Sequence, residues 1–125
     1  MPVDVTIDRD ANLVTYEATG DVTIDEMKAA FAGLFENPDF KPGMNALCNA
    51  KYASFPNLPL DDVKDLVALL GERSAERGKG HRVAVLVRGN AEFGLSSLFE
   101  MQTYRMPFEV QVFRNTKEAR KWLGV

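Results

Sequence analysis

The chain begins with two stretches in which apolar and polar residues alternate. Residues 3–8 read VDVTID and residues 13–20 read LVTYEATG, a period of two that is typical of half-buried β-strands. The RDAN segment between them, residues 9–12, has the composition of a turn. The sequence therefore predicts an antiparallel hairpin at the start of the fold.

The hydrophobic period then changes to that of a helix. Thr23 and Glu26 form a capping box, in which each side chain satisfies the free backbone N–H of the other residue. The apolar residues that follow lie on one helical stripe: Ile24, Met27, Phe31, Leu34 and Phe35. The helix is predicted to end near residue 36, because Asn37 and Pro38 follow it.

Three further strands alternate with helices along the rest of the chain. The predicted strands are residues 44–50, 82–87 and 108–113. One predicted helix begins at Asp61, a second covers residues 92–105, and a short closing helix follows a box-like cap formed by Asn115 and Glu118. The continuously apolar RVAVLV strand is typical of a central parallel strand covered on both faces. The order ββαβαβαβα predicts an α/β fold over residues 1–125, a single domain with a mostly parallel five-stranded sheet and an antiparallel edge strand.

Composition and charge narrow the classes of partner. The 125 residues are 46% hydrophobic and 26% charged, with a net charge of -3 and no basic stripe, so no nucleic-acid partner is expected. The chain starts without the pattern of a signal peptide and has no run long enough to span a bilayer, which predicts a cytoplasmic location without a membrane span. The most basic stretch, ERSAERGKGHR at residues 72–82, is predicted to be a solvated helix end and loop.

Two glycines after the central strand resemble a phosphate-binding loop in their spacing. Gly89 and Gly94 are five residues apart, but Leu95 stands where such a loop needs its lysine. A tight turn with positive φ at Gly89 explains the pattern better than nucleotide chemistry does. The free N–H groups at the start of the next helix, beside Arg88, remain a candidate anion site.

The single cysteine and the single histidine are the remaining reactive side chains. Cys48 lies inside an apolar strand, where a buried thiol stays protonated and inert. His81 precedes the central strand, at the end opposite the edge where ligand crevices form, and is predicted to lie on the surface. One cysteine and one histidine do not make a zinc site. The sequence therefore predicts no catalytic residue, no metal, no cofactor and no enzymatic activity.

The loops that follow the parallel strands are the expected place for a ligand. These loops are residues 49–59, 88–92 and 114–116. The first is long and carries two aromatic residues, although Tyr52 and Phe55 folding back over the core is an equal alternative. The candidate ligand-binding residues are Asn49, Tyr52, Arg88, Asn90 and Arg114.

The predicted third helix is more apolar than one buried stripe requires. Leu95, Leu98 and Phe99 take one face, and further apolar residues spread beyond it. Such a helix is either unusually buried or meets a partner or an apolar ligand. The candidate interface residues are Phe93, Leu98, Met101 and Tyr104.

Several segments together resemble the SpoIIAA-like, or STAS/SEC14, family. They are GDVTIDEMKAAFAGLFENPDFKPGMNAL, RVAVLV, FGLSSLFEMQ and the closing VFRNTKEARKWL. The resemblance implies a STAS-like α/β fold and a small protein of undetermined function. Anti-sigma-factor antagonists of this fold bind a kinase partner and are switched by phosphorylation of a serine after the third strand. This chain departs from that pattern, because Asn49 stands where many relatives carry Asp and the nearest serine, Ser54, lies five residues further on.

Three hypotheses follow. The first is a non-enzymatic interaction or regulatory module that binds a protein partner or a second copy of itself. The alternative is a binder of a small apolar or anionic ligand between the third helix and the strand-end loops, in a cavity of roughly 300 Å3 or more. The least favoured is an enzyme using Cys48, His81 or the loop at residues 88–94.

Overall fold

The order of elements in the computed structural model follows the predicted order, with one short helix added. The structure describes residues 3–56 and 58–125; Met1, Pro2 and Asn57, which belong to the predicted domain, lie outside the described residues. The strands are β1 (Val3–Asp8), β2 (Leu13–Asp21), β3 (Asn45–Ser54), β4 (Arg82–Leu86) and β5 (Glu109–Phe113). The helices are α1 (Ile24–Leu34), α2 (Leu60–Glu72), α3 (Ser74–Arg77), α4 (Asn90–Gln102) and α5 (Thr116–Leu123).

The five strands form one sheet in the order β1-β2-β3-β4-β5. β1 pairs antiparallel with β2, and β2, β3, β4 and β5 run parallel to one another. This confirms the predicted α/β class and the mostly parallel sheet with an antiparallel edge strand. β4 lies inside the sheet, as its apolar sequence predicts, and β5 is the second edge.

Helices cover both faces of the sheet. α5 packs on one face, where its residues Ala119 and Leu123 complete a core with Leu47, Leu86 and Phe113. The opposite face, which carries Val14, Ala46 and Val85, lies beneath α1, α2 and α4. The fold therefore has three layers, and the two helical layers differ in size.

Two helices begin at the caps that the sequence predicts. At α1 the Glu26 N–H donates to Thr23 Oγ1 at 3.2 Å, and the Thr23 N–H donates to Glu26 Oε1 at 2.9 Å. At α5 the Glu118 N–H donates to Asn115 Oδ1 at 3.1 Å. Both predictions succeed because a cap is formed by residues three positions apart.

The region after β3 differs from its prediction. β3 extends through Ser54, so Asn49 and Tyr52 lie on a strand and the loop before α2 is shorter than the predicted residues 49–59. The extension pairs with the long β2 beyond an irregularity in register, and Ser54 Oγ donates to Asp21 Oδ1 at 2.6 Å. The turn expected at Gly89 is also absent: Gly89 has φ -82° and is the N-cap of α4, which begins at Asn90.

The prediction of a solvated segment at residues 72–82 is wrong for two of its side chains. Arg77 is 5% exposed and His81 is 3% exposed. The reason is a close backbone approach: Gly78 has φ +95° and lies so near Gly43 that a Cβ would collide with it. The Gly43 N–H also donates to the Arg77 carbonyl at 2.8 Å. This contact docks the segment on the loop before β3 and buries Arg77.

No helix in the described parts of the chain combines the length and the apolar character that a bilayer crossing requires. The cytoplasmic location stays a prediction.

Candidate functional site

An apolar cavity of about 190 Å3 lies between the sheet and the layer formed by α1, α2 and α4. Its floor is made of small side chains on neighbouring strands, namely Ala18, Ala46, Cys48 and Ala50. The strands of a sheet covered on both faces usually carry the larger Val, Ile and Leu. The small residues on β2 and β3 therefore leave space above the sheet.

The helices that roof the cavity are supported at the edges of the sheet. α1 packs closely on β1 and α4 on β5, while α2 has its closest neighbours in α1 and α4. This arrangement holds α2 above the small floor residues. The larger apolar side chains of the roof are Met27, Phe31, Val63, Leu66, Leu70, Leu95 and Phe99.

The volume and the lining indicate what the cavity can hold. Protein interiors contain few voids larger than a water molecule, and an apolar cavity of about 150 Å3 is enough to bind benzene. The space found here is smaller than the roughly 300 Å3 expected from the sequence, and it lies under the helical layer instead of at the strand-end loops. It suits a small apolar molecule.

Arg77 gives the cavity wall its one charged side chain among the described lining residues. Its Nη2 donates to the Met44 carbonyl at 2.6 Å, and the guanidinium lies over the Phe40 ring at 5.5 Å. Its Nη1 is buried and has no hydrogen-bond partner. Within residues 3–56 and 58–125, the ion pairs join Arg9 to Asp39 and Arg73 to Glu76, so no described carboxylate pairs with Arg77.

His81 also lines the cavity, which contradicts its predicted surface position. Its ring stacks on Phe108 with centroids 4.8 Å apart. The Gly80 N–H donates to the Pro107 carbonyl at 2.7 Å, and the Glu109 N–H donates to the His81 carbonyl at 3.1 Å. These bonds join the start of β4 to the start of β5 and hold the ring inside. Its Nδ1 is buried without a partner.

Burial controls the protonation of the polar groups around Arg77. Burial, together with the positive charge of Arg77, lowers the pKa of His81 to about 4. Burial raises the pKa of Cys48 to about 12, and the charge of Arg77 opposes this only in part. Burial likewise raises the pKa of Tyr16. At neutral pH the cavity therefore presents a neutral imidazole, a neutral thiol and a neutral phenol beside one guanidinium.

The ligand-binding residues predicted from the sequence do not converge on this cavity. Tyr52 and Arg88 lie together, with the guanidinium 5.8 Å from the ring centroid. Arg114 lies over the Phe93 ring at 4.4 Å. The Asn49 amide donates to Glu17 at 2.9 Å, and Asn90 is an exposed residue in the first turn of α4. None of these five residues lines the cavity.

The candidate anion site at the start of α4 already has a carboxylate beside it. A carboxylate oxygen of Glu92 lies directly against Gly89, in the place that a Cβ would occupy. Because Glu92 is in the first turn, its charge already interacts favourably with the helix dipole. An external anion would be repelled there, even with Arg88 nearby.

The predicted interface residues divide between the surface and a shallow groove. Met101 is 64% exposed and Tyr104 is 75% exposed, and Leu98 is also exposed. Phe93, Met101 and Tyr104 contribute to an open groove of about 590 Å3 between α4 and β5. Leu95 and Phe99 instead face the cavity, which divides the apolar residues of α4 between two environments.

The comparison with solved structures identifies the fold. The chain is similar to an uncharacterized protein of the DUF3478 family with a SpoIIAA-like fold from Shewanella loihica PV-4. The two share 19% sequence identity and a TM-score of 0.60, over 97% of this chain and 91% of the other. The fold of this protein is therefore SpoIIAA-like, as the sequence resemblance implies. No family model matches the chain, and no curated protein shows significant similarity to it.

Proposed function

We propose that this protein is a non-catalytic binding protein whose ligand is a small, mainly apolar molecule. The observation that carries the proposal is the cavity of about 190 Å3 between the sheet and the α1, α2 and α4 layer. Unfilled space in a core costs about 24 cal/mol per Å3, so a cavity of this size leaves on the order of 5 kcal/mol unrealised at most. A ligand that fills the space recovers part of that free energy.

The protonation states support binding without catalysis. A nucleophilic cysteine needs a thiolate, whereas the pKa of Cys48 is raised to about 12. The pKa of His81, about 4, is too low for an efficient general base near neutral pH. No Asp or Glu belongs to the described lining residues, so neither group has a carboxylate there to orient it. These groups can donate hydrogen bonds to a ligand without reacting with it.

Filling the cavity from within tests the proposal. Ala50→Leu places a larger side chain into the cavity from the floor. Ser96→Leu does the same from the roof, so the two variants are independent tests. We expect 1-hexanol to shift amide signals of cavity residues in the unmodified protein, and each variant to weaken its binding at least about tenfold, because the added side chain occupies the space. The measurement is titration by 1H–15N NMR, whose spectra also report whether each variant is folded.

The matched control is Ala68→Leu, which adds the same atoms to an exposed position of α2. We expect it to bind 1-hexanol as the unmodified protein does. Absence of 1-hexanol binding to the unmodified protein, or undiminished binding to folded Ala50→Leu and Ser96→Leu, would contradict the proposal.

A second candidate function is self-association through α4. Leu98 and Met101 on α4 and Tyr104 just after it are large exposed side chains, and we infer that they form one apolar strip. Packing against the same strip of a second copy covers both strips at once, which is the usual geometry of a twofold interface. The neighbouring edge strand is partly protected, since the Val112 N–H donates to Glu100 Oε1 at 3.1 Å. The helix is therefore the better surface for association.

Sedimentation velocity tests this second function. We expect a dimer that dissociates when Met101→Glu and Tyr104→Glu are combined, because two carboxylates from each protomer would then be buried at the interface. Tyr52→Glu is the control, since Tyr52 is equally exposed but lies on β3. A monomer at all concentrations of the unmodified protein would exclude the interface.

A further inference from the structure

Arg77 and His81 form a polar corner of the cavity that the apolar lining does not explain. Both side chains are more than nine-tenths buried, and both line the cavity. Each carries a nitrogen without a hydrogen-bond partner, Nη1 of Arg77 and Nδ1 of His81. Neither nitrogen is accessible to solvent, so bulk water does not supply the missing bonds.

The charge on Arg77 is unbalanced as well as incompletely bonded. An arginine stays protonated in proteins at neutral pH, and a buried charge is normally paired. The contacts of this guanidinium are a backbone carbonyl and the face of Phe40, both of which stabilise a cation without neutralising it. The guanidinium of Arg77 already lost its hydration when the protein folded. An anion that binds it therefore does not have to displace water from it.

We propose that the ligand of this cavity is a monocarboxylate with a short apolar body, whose carboxylate is bound by Arg77 and His81. This inference rests on the proposed function, because it concerns the same cavity. The carboxylate accepts hydrogen bonds from the guanidinium of Arg77 and from the neutral imidazole of His81. The apolar body lies over Ala46, Cys48 and Ala50.

The number of charges selects a monoanion over a phosphate ester. Arg77 supplies one positive charge, and His81 is neutral at pH 7. A phosphate monoester carries between one and a half and two negative charges at this pH. Its second charge would be buried among apolar side chains without compensation. A carboxylate is balanced by the single guanidinium.

The test compares two ligands of equal chain length. At pH 7 we expect hexanoate to bind the unmodified protein at least about tenfold more tightly than 1-hexanol, as measured by NMR titration. In Arg77→Met this preference should disappear while 1-hexanol still binds. In His81→Gln the preference should fall only in part, because Arg77 is retained; this variant also carries the test if Arg77→Met does not fold.

Arg88→Met is the matched control. It removes the same charge from the exposed arginine beside α4 and should leave the hexanoate preference unchanged. Equal binding of hexanoate and 1-hexanol to the unmodified protein would overturn this inference and leave the proposed function standing. Failure of 1-hexanol to bind the unmodified protein would overturn the proposed function itself. A preference that survives Arg77→Met, or disappears in Arg88→Met, would place the anion elsewhere.

Discussion

At the scale of single residues, the site depends on side chains whose environment is set by distant parts of the chain. Arg77 and His81 lie in a glycine-containing, charged stretch that has the composition of a surface loop. They are buried because Gly78 meets Gly43 and because Gly80 bonds to Pro107. The protonation of His81 and the conformation of Gly78 each affect the free energy of unfolding, which can be measured.

The buried imidazole makes stability depend on pH. The pKa of His81 is lowered to about 4, whereas an unfolded histidine titrates near its ordinary 6.5. Between these values the unfolded chain binds a proton that the folded protein does not, so the free energy of unfolding falls as the pH falls from 6.5 to 4. We expect the unmodified protein to lose on the order of 2 kcal/mol more over this window than His81→Gln, as measured by urea unfolding.

Comparing the two proteins over the same window removes the contribution of the surface carboxylates, which both share. The other polar groups around the imidazole do not titrate in this range: Arg77 stays charged, and Cys48 and Tyr16 stay neutral. Parallel pH profiles for the two proteins would show that His81 is not buried as described.

Gly78 is expected to be the most sensitive of the positive-φ glycines near the site. Gly78→Ala combines an unfavourable φ of +95° with a collision against Gly43, and should destabilise the protein by about 3 kcal/mol. Gly80→Ala is the matched control, since its φ is +78° but a Cβ there meets no atom within 4 Å. Its cost should be about 1 kcal/mol. Urea unfolding followed by Trp122 fluorescence measures both, and equal costs would refute the close approach.

At the scale of elements, the roof of the cavity depends on where its helices begin and how they rest on the sheet. α1 starts at a reciprocal cap and places Met27 and Phe31 over the cavity. Its packing on β1, with α4 on β5, keeps α2 above the small residues of the floor. The stability of α1 and the space beneath the helices are therefore linked.

The cap of α1 can be tested without altering the cavity lining. Thr23→Ala removes the acceptor for the Glu26 N–H and should cost about 1 kcal/mol of stability. Thr23→Ser retains a hydroxyl and should cost much less. Thermal unfolding at one pH compares the two variants, and an equal loss in both would mean that the hydroxyl does not cap the helix.

The sequence predicted the elements better than it predicted the site, for a physical reason. The capping box at Thr23, the side-chain cap at Asn115 and the apolar run of β4 are local, so residues a few positions apart determine them. The burial of Arg77 depends on contacts between segments more than thirty residues apart. The alanines at positions 46 and 50 were a visible signal of unfilled space, and the glycines that flank Arg77 and His81 were a visible signal of close packing.

At the scale of the whole molecule, the two helical layers fill the space above the sheet to different extents. The α5 layer closes a conventional apolar core on one face of the sheet. The layer formed by α1, α2 and α4 covers the cavity, whose described lining is mainly apolar and has one charged side chain, Arg77. The SpoIIAA-like fold accommodates both layers. The function that we propose, binding of a small ligand, belongs to the second of these layers.

The most direct test of this account is the position of a bound carboxylate in solution. An isotope-filtered NOESY experiment on methyl-labelled protein with hexanoate measures which methyl groups lie near the ligand chain. We expect contacts from the hydrocarbon chain of hexanoate to Ala46, Ala50 and Leu66, with its carboxylate end toward His81. Contacts to Met101 or Leu98 on the outer side of α4, or none to the floor alanines, would contradict it.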